Sequence, residues 1–545
     1  MTLESSGPGP VSPPADPFKG PPADPPAQSR ARRPARPWTA AAVVCLGLYL
    51  LGLDLTILNV AAPDLQRELR AATAEVQWVI DGYALVLGGT VLATGAVTDR
   101  IGRRRAFVAG LVLCAAASVV GAVASSVAQI IGARFAMGAG AALLMPATLS
   151  IISNLFARPE ERRKGIALWA AVGALGGATG PLVGGFLVEH FSWRAGFWVN
   201  LPLAALAVAL AFRFVPATRA GHREPVDVTG MVLSALGLLC LVWAIIEGPA
   251  RGWLSTPVTT AFVLAAVLLT AFVRQQARCG APMLPLPLLR RPEIGVAALV
   301  LALLSLALFG AFFLVSLHLQ KVLGHSPWEA GCRTLPLPLA LAVGAAVEVP
   351  LIARFGVRLP VVLGLGTVSL AFVVLAGASA DSGYGRIALF EVVAGFGAGL
   401  TAAAGTESVM ASVPRERAGL GSAVNDATRQ VGSALGVAVQ GSVLSAVYSA
   451  RMPELLAGTP AERLASTDSA HDVVAGQAAP GGAPAAVRAA FGDAARTAFV
   501  DGMVTAAQGA GVLTAAAALA AAVWLPAARA TAPLAAAKDG GSPAG

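Results

Sequence analysis

The feature that most constrains this chain is a series of apolar blocks that recurs from residue 38 to residue 525. Each block is about 20 residues long, which is the length a helix needs to cross the roughly 30 Å hydrocarbon core of a membrane. Inside lipid every backbone amide must find a partner within the protein, and a helix provides one locally. Since only 13 % of the residues are charged, we predict an all-α integral membrane protein.

Fourteen such blocks can be separated, and an even number of spans places both termini on the same side of the membrane. We predict spans at 38–60, 76–97, 106–126, 128–155, 165–188, 196–215, 228–247, 257–274, 293–317, 331–352, 359–379, 386–411, 420–447 and 498–525.

The distribution of Lys and Arg orients these spans. Four arginines between Arg30 and Arg36 precede the first span; the loops on their side carry 19 Lys and Arg, and the short loops on the other side about 7. Cytoplasmic loops typically carry such an excess. We therefore predict cytoplasmic termini in the inner membrane of a bacterial cell, and we assign the net charge of +9 to topology rather than to a nucleic-acid partner.

A weak internal repeat indicates two bundles. The loop TDRIGRRR (98–105) follows the second span, and a fainter copy, IARFGVR (352–358), follows the tenth. Internal repeats of this kind are common in transporters. The predicted order is a disordered Pro-rich cytoplasmic tail (1–37), a six-helix bundle (38–215), two extra helices with a linker (216–292), a second six-helix bundle (293–527) with a long extracellular loop (449–497), and a disordered cytoplasmic tail (528–545).

Asp54 is the first candidate for proton coupling. It lies well inside the first span, within the otherwise apolar segment LGLDLTILNVAAPDL (51–65). Intramembrane carboxylates are costly and usually functional. Removal from water favours the neutral form, so this group could bind and release a proton near physiological pH. The alternative is a structural acid near the membrane edge that pairs with a basic side chain.

Arg134 lies inside the fourth span, in ARFAMGAGAALLMP (133–146), with no acid nearby in sequence. Its charge is permanent, so it needs a partner from another helix or a wet cavity. In the functional interpretation it tunes the protonation of an acid. In the alternative it is a snorkelling arginine near the end of a span.

The fifth span contains a glycine repeat, GALGGATGPLVGG (173–185). Gly176, Gly180 and Gly184 are four residues apart, so they share one face and allow close helix contact. Pro181 removes a backbone hydrogen bond and can bend the helix. The pattern fits a hinge between conformations and plain tight packing equally well.

The loop GAVTDRIGRRR (95–105) places Asp99 among four arginines. It is either a charged topology loop or a cytoplasmic latch, in which Asp99 docks at a helix N-terminus where the macrodipole favours an anion. The start of span thirteen, near Gly419–Ser422, is the candidate receptor.

Further acids lie within spans, and Glu348 and Glu407 could face a central cavity and help to bind cationic substrates. Asp426 and Arg429, three residues apart, could pair with each other. No Walker loop is present, and the five cysteines show no metal-ligand spacing. We therefore expect no enzyme, no metal site and no cofactor, with the proton gradient as the energy source.

Six segments, in order, resemble the fourteen-span drug:proton antiporters of the major facilitator superfamily over roughly residues 38–525. LDLTILNVAAP is similar to the family's first-span signature (Asp54, Thr56, Asn59, Pro63), and GAVTDRIGRRR to its loop motif (Gly95, Asp99, Arg100, Gly102, Arg103, Arg104). ARFAMGAGAA resembles the fourth-span motif (Arg134, Gly138), and GATGPLVGG the antiporter motif (Gly180, Pro181, Gly184, Gly185). FSWRAGFWVNLP (191–202) and AGLGSAVNDATRQVGSALGVA (418–438) resemble the segments of spans six and thirteen.

The resemblance implies alternating access between two bundles, with export of amphipathic drugs, antibiotics or metabolites in exchange for protons by a monomer in the lipid bilayer. It implies a central substrate cavity, to which we assign Asn59, Asp81, Glu348, Glu407 and Asn425. Two departures stand out: Met137 occupies a position that is usually Gln, and Asp81-Gly82 replaces a common Thr-Ala. The alternative function is a metabolite or lipid importer or symporter of the same fold, and a membrane sensor is a third class.

Overall fold

The computed structural model describes residues 36–156, 158–217, 226–412, 418–464 and 484–525. Fourteen helices of these residues are long and apolar enough to cross a membrane, which confirms the predicted all-α fold. They are α1 (Pro37–Leu69), α2 (Thr73–Ile101), α3 (Arg103–Ala122), α4 (Val127–Leu155), α5 (Pro159–His190), α6 (Asn200–Phe214), α7 (Val228–Arg251), α8 (Thr256–Arg278), α9 (Pro292–Leu317), α10 (Pro336–Phe355), α11 (Arg358–Ala376), α12 (Tyr384–Ala411), α13 (Ala418–Leu456) and α14 (Ala485–Trp524).

Three short elements complete these spans, so that the sixth runs over Ala195–Phe214 and the tenth over Pro327–Phe355. The helix Ala195–Trp198 precedes α6, the helix Pro327–Arg333 precedes α10, and α9 continues as a π-helix over His318–Val322. Apart from Arg36 and Pro37, both predicted tails lie outside the described residues. The same is true of two basic loop residues, Arg415 and Arg417.

The two copies of the weak repeat occupy corresponding positions. Gly102 ends α2 with φ of 97°, and Gly356 ends α10 with φ of 79°. Residues other than Gly rarely adopt such positive φ values, so each copy keeps a glycine where the chain turns into the third helix of its half. The loop Arg100–Arg105 marks one end of the helices, which we call the basic end; the other is the opposite end.

The helices form two halves with a pair of extra helices at their side. In the first half α1 packs on α5, and α4 packs on α2 and α3. In the second half α12 packs on α10 and α11, and α13 packs on α9 and α14. The extra helices α7 and α8 pack on each other, and α7 also contacts α2 and α13. This arrangement matches the predicted two six-helix bundles plus two helices.

The predicted loop 449–497 is too long at both ends. α13 continues to Leu456, and α14 already begins at Ala485. The extensions are stabilised because Tyr448 and Met452 of α13 and Phe491 and Phe499 of α14 are fully buried within one apolar cluster. Arg451 also pairs with Asp501 at 2.9 Å. The small residues of this stretch are typical of a loop in sequence, whereas in the fold Ala494 and Ala495 are buried.

Candidate functional site

Asp54 lies in a buried cluster built by α1, α3 and α6. Its side chain is 1 % exposed, and its Oδ1 accepts a hydrogen bond from Asn200 Nδ2 at 2.7 Å. The same amide nitrogen donates to Ser118 Oγ at 3.0 Å, and Ser118 donates to the Phe197 carbonyl at 2.8 Å. Among the described residues, Asp54 Oδ2 has no hydrogen-bond partner, so a proton could bind there without breaking a contact.

Arg134 reaches this cluster from α4. Its Nε donates to the Val79 carbonyl at 2.9 Å, its Nη2 donates to the Asp54 carbonyl at 3.3 Å, and its guanidinium lies 4.5 Å from the centre of the Tyr83 ring. The side chain is 1 % exposed, whereas a snorkelling arginine keeps its charge at the interface. A permanent positive charge therefore lies beside Asp54, which is the arrangement that the tuning hypothesis requires.

Sequence reasoning missed three members of this cluster, Asn200, Ser118 and Tyr83. All three are fully buried. Asn200 is a lone amide in the apolar stretch FWVNLP, and that isolation was the only available signal. Neutral polar residues are tolerated in membrane helices far better than charges, so their presence alone does not mark a site.

A small cavity lies between the two halves, next to the Asp54 cluster. It brings together two residues that we assigned to the substrate cavity, Asn59 of α1 and Asp81 of α2. Side chains of α1, α2, α9 and α13 line it: Leu55, Asn59, Ile80, Asp81, Ala84, Phe309, Ser433 and Val437. Asp81 is 1 % exposed, and its Oδ2 has no hydrogen-bond partner among the described residues. The cavity thus holds an acid aimed at the boundary between the halves.

The other three assigned cavity residues lie elsewhere in the second half. Asn425 Oδ1 accepts a hydrogen bond from Thr406 Oγ1 at 3.1 Å, and on α13 it precedes the cavity residue Ser433 by two helical turns, about 12 Å along the helix axis. Glu348 is buried, and Glu407 is exposed but close enough to interact with it electrostatically. The assigned residues therefore form two groups, and only one lines the cavity.

Asp426 and Arg429 do not pair within 4 Å in the described part of α13. Asp426 instead accepts a hydrogen bond from Ser422 Oγ at 3.4 Å. Arg429 is exposed.

The glycine repeat of α5 seats this helix directly on α1. A Cβ atom added at Gly176 would lie 2.5 Å from the Tyr49 carbonyl oxygen, and one added at Gly184 would lie 2.6 Å from that of Ile57. At Gly180 it would lie 2.0 Å from Thr56 Oγ1. Real Cβ atoms essentially never approach closer than 3.0 Å, so the shared face fits only glycine at these positions.

The neighbouring face of α5 contacts the second half. A Cβ at Gly185 would lie 2.4 Å from the Pro327 carbonyl oxygen, and the Pro181 carbonyl oxygen lies 2.3 Å from where a Cβ at Gly331 would be. The predicted antiporter motif therefore touches α1 through one side and the short helix before α10 through the other.

Glu189, at the end of α5, joins the two halves at the opposite end. Its Oε2 accepts hydrogen bonds from the Trp328 backbone N–H at 2.9 Å and from Ser326 Oγ at 2.5 Å. The Trp328 ring packs edge-on against Phe186, with 5.8 Å between the ring centres. Sequence reasoning missed this contact, because its partners are 137 or more residues apart.

Two further hydrogen bonds connect α1 and α9 at the opposite end. Ser316 Oγ donates to the Asn59 carbonyl at 3.0 Å, and Gln320 Nε2 donates to the Val60 carbonyl at 3.1 Å. Gln77 Nε2 of α2 donates to the Val437 carbonyl of α13 at 3.3 Å. These bonds, together with those of Glu189, hold the halves together from the cavity to the opposite end.

The predicted latch lies at the basic end, and its receptor is only partly described. Asp99 pairs with Arg103 at 3.7 Å. Arg104 Nη1 donates to the Val215 carbonyl at 3.3 Å, which ties the loop to the end of α6. The side chains of residues 418–420 lie outside the described part of the chain. Docking of Asp99 near Gly419–Ser422 therefore stays a prediction, together with the latch roles of Gly95, Arg100 and Gly102.

The chain is similar to the multidrug efflux pump LfrA of Mycolicibacterium smegmatis, with 35 % identity over 491 residues that cover 90 % of this chain and 96 % of LfrA. It is 33 % identical to the tetracenomycin C resistance and export protein of Streptomyces glaucescens, covering 80 % of this chain and 81 % of that protein. The methyl viologen resistance protein SmvA of Salmonella typhimurium is also 33 % identical, covering 80 % of this chain and 88 % of SmvA.

Solved structures and the family comparison agree on the fold. The chain resembles the inward-facing, unoccupied bacterial homologue of the human lysosomal transporter Spinster, with a TM-score of 0.59 and 18 % identity over 89 % of this chain and 98 % of that one. Residues 44–437 match the Major Facilitator Superfamily. Since that match spans most of the chain, the protein belongs to the Major Facilitator Superfamily.

Proposed function

We propose that this transporter exports amphipathic drugs, antibiotics or metabolites from the cytoplasm in exchange for protons. The named relatives are multidrug efflux and antibiotic-resistance proteins, which supports drug export. The observation that carries proton exchange is the buried Asp54 cluster, since a carboxylate with one bonded and one unbonded oxygen lies beside a permanent cation.

The candidate proton site and the cavity lie close together on α1. Asp54 and Leu55 are adjacent on α1; Asp54 contacts Asn200, and Leu55 lines the cavity between the halves. Protonation of Asp54 would weaken its hydrogen bond with Asn200, because a neutral carboxyl group is a poorer acceptor than a carboxylate. Any resulting shift of α1 moves Leu55 and Asn59 in the cavity wall. Proton binding and substrate binding would then compete through one helix.

The proposed direction of substrate transport follows from alternating access between the two ends. The excess of Lys and Arg supports a cytoplasmic basic end and therefore cytoplasmic termini. Hydrogen bonds join the halves at the opposite end, which supports a state closed on the outer side. A transporter closed at that end would load substrate from the cytoplasm. Proton entry from outside would then reset the transporter after release, with no other cofactor and with one chain as the working unit.

Asp54→Asn tests the proposal in proteoliposomes with an imposed pH gradient and methyl viologen as the transported probe. We expect the variant to fold but to lose gradient-driven transport. Asp64→Asn is the matched control, because Asp64 lies on the same helix but pairs with Arg67 at the surface. Undiminished transport by Asp54→Asn would reject the assignment of the proton site.

The direction of proton movement tests the exchange itself. A pH-sensitive dye inside the vesicles reports whether the addition of substrate drives protons against or along the substrate flux. We expect opposite movement. Movement in the same direction would instead establish a symporter.

A further inference from the structure

A long groove runs along the exposed face of α8, outside the transport pathway. It is about 620 Å³ in volume, and no residue of the Asp54 cluster or the central cavity lines it. The groove is apolar for most of its length and ends in three polar side chains. Its lining residues are Leu233, Val263, Ala266, Val267, Thr270, Ala271, Arg274, Gln275 and Arg278.

The length of the groove matches one leaflet of a bilayer. Val263 and Arg274 are eleven residues apart on α8, which corresponds to about 16 Å along a helix axis. Half of the hydrocarbon core is about 15 Å thick. The apolar part of the groove therefore spans the leaflet at the basic end, and the arginines reach the level of the lipid headgroups.

The arginines stand on the same side of α8, one turn apart. Arg274 and Arg278 are exposed, and neither forms an ion pair within 4 Å among the residues that the structure describes. Asp227, just before α7, bonds to other partners: it accepts hydrogen bonds from the Gly230 N–H at 2.8 Å and from Gln276 Nε2 at 2.6 Å.

That hydrogen-bonded pair also fixes the geometry of the groove. Gln276 is 3 % exposed and joins α8 to the start of α7, and its Oε1 accepts the Leu284 N–H at 3.0 Å. The ends of α7 and α8 at the headgroup level are therefore held in register. This holds Arg274 and Arg278 at the mouth of the groove.

We propose that this groove binds an anionic phospholipid of the leaflet at the basic end. The two guanidinium groups contact the lipid phosphate, since Arg matches phosphate geometry with paired donors, and one acyl chain lies along the apolar wall between Leu233 and Ala271. Charge complementarity selects an anionic lipid and disfavours a cationic drug. The assignment to the cytoplasmic leaflet rests on the proposed orientation; the binding itself does not.

The test measures lipid retention on the purified full-length protein in an uncharged detergent. Native mass spectrometry reports the retained phosphatidylglycerol and phosphatidylcholine after incubation with equal amounts of both. The test variant is the double substitution Arg274→Gln and Arg278→Gln. The matched control is Arg290→Gln and Arg291→Gln, which removes the same charge just outside the groove.

We expect wild type and control to prefer phosphatidylglycerol and the test variant to bind it about 30-fold more weakly, which is about 2 kcal/mol. A second variant, Ala271→Trp, fills the groove without changing charge and should reduce retention of both lipids. An unchanged preference in the test variant, or an equal loss in the control, would overturn the proposal. In a thiol-labelling experiment on Thr270→Cys, bound phosphatidylglycerol should protect the cysteine in the groove. Protection by methyl viologen instead of by phosphatidylglycerol would also overturn the proposal. Since none of these readouts measures transport, their failure is distinguishable from failure of the export proposal.

Discussion

Gly176 offers the sharpest test of how α5 is held on α1. In Gly176→Ala the new Cβ would start 2.5 Å from the Tyr49 carbonyl oxygen and 3.2 Å from the Gly52 Cα. Both partners are backbone atoms, so no side chain can rotate away. To restore a 3.0 Å contact with the oxygen, the helices must separate by about 0.5 Å at this point, and a gap of that size forfeits a quarter or more of each dispersion contact it affects.

Gly177 provides a matched control one residue away. A Cβ added there meets only the Gly52 carbonyl oxygen at 4.0 Å, an ordinary contact distance. Both substitutions gain the same helix propensity, about 1 kcal/mol, so the difference between the two variants isolates the clash. We expect Gly176→Ala to be less stable than Gly177→Ala by about 1–3 kcal/mol, the usual cost of overpacking.

The assay is unfolding by sodium dodecyl sulfate from mild detergent micelles, followed by circular dichroism, with transport measured on the same preparations. Gly177→Ala should unfold at an equal or higher detergent fraction than wild type and keep its transport. Gly176→Ala should unfold earlier and transport less, because α1 carries Asp54 two residues beyond the Gly52 contact. Equal stability and equal transport of the two variants would refute the close-packing argument.

Three further substitutions test the site and the closed end. Asn200→Ala leaves the buried Asp54 oxygen without its donor, at a cost of about 1–3 kcal/mol, and should lower pH-driven transport in proteoliposomes about tenfold or more. Arg134→Lys should have a similar effect, because an ammonium group cannot keep two carbonyl contacts and the ring stacking together. Glu189→Gln replaces charge-assisted hydrogen bonds with neutral ones of about half the strength. It should therefore increase maleimide labelling of a Val60→Cys reporter in a cysteine-free background.

Each of these has its own control. Asn154→Ala removes an exposed amide that donates to the Ser150 carbonyl, and it should leave transport unchanged. Arg105→Lys alters an exposed basic side chain and should also be silent. Glu75→Gln changes a carboxylate that accepts the Ala72 N–H at the start of α2, and labelling of the reporter should not rise. Labelling that rises equally with Glu75→Gln and Glu189→Gln would contradict a specific closing role for Glu189.

The fold and the charged members of the site could be predicted from the sequence for one physical reason. Apolar blocks of membrane length differ clearly from ordinary composition, and an isolated charge within such a block is energetically costly. Asp54 and Arg134 could therefore be identified without a structure. Asn200 and Ser118 are not costly in a helix, and their importance arises only because α3 and α6 bring them to Asp54. The segment 449–497 was misjudged for a related reason, since small residues signal a loop unless a packing partner is known.

The glycine motif shows what the structure adds to a pattern that the sequence displayed fully. Spacing predicted one close-packed face, and Gly176, Gly180 and Gly184 do form it against α1. Gly185 is the next residue, about 100° further around the helix, and it meets Pro327 of the second half. α5 therefore packs tightly on α1, the span that carries Asp54. Its adjacent face packs on the segment that Glu189 contacts. We therefore expect a displacement of α1 at the proton site to affect the closed end, because both contacts are backbone-tight and lie on the same helix, α5.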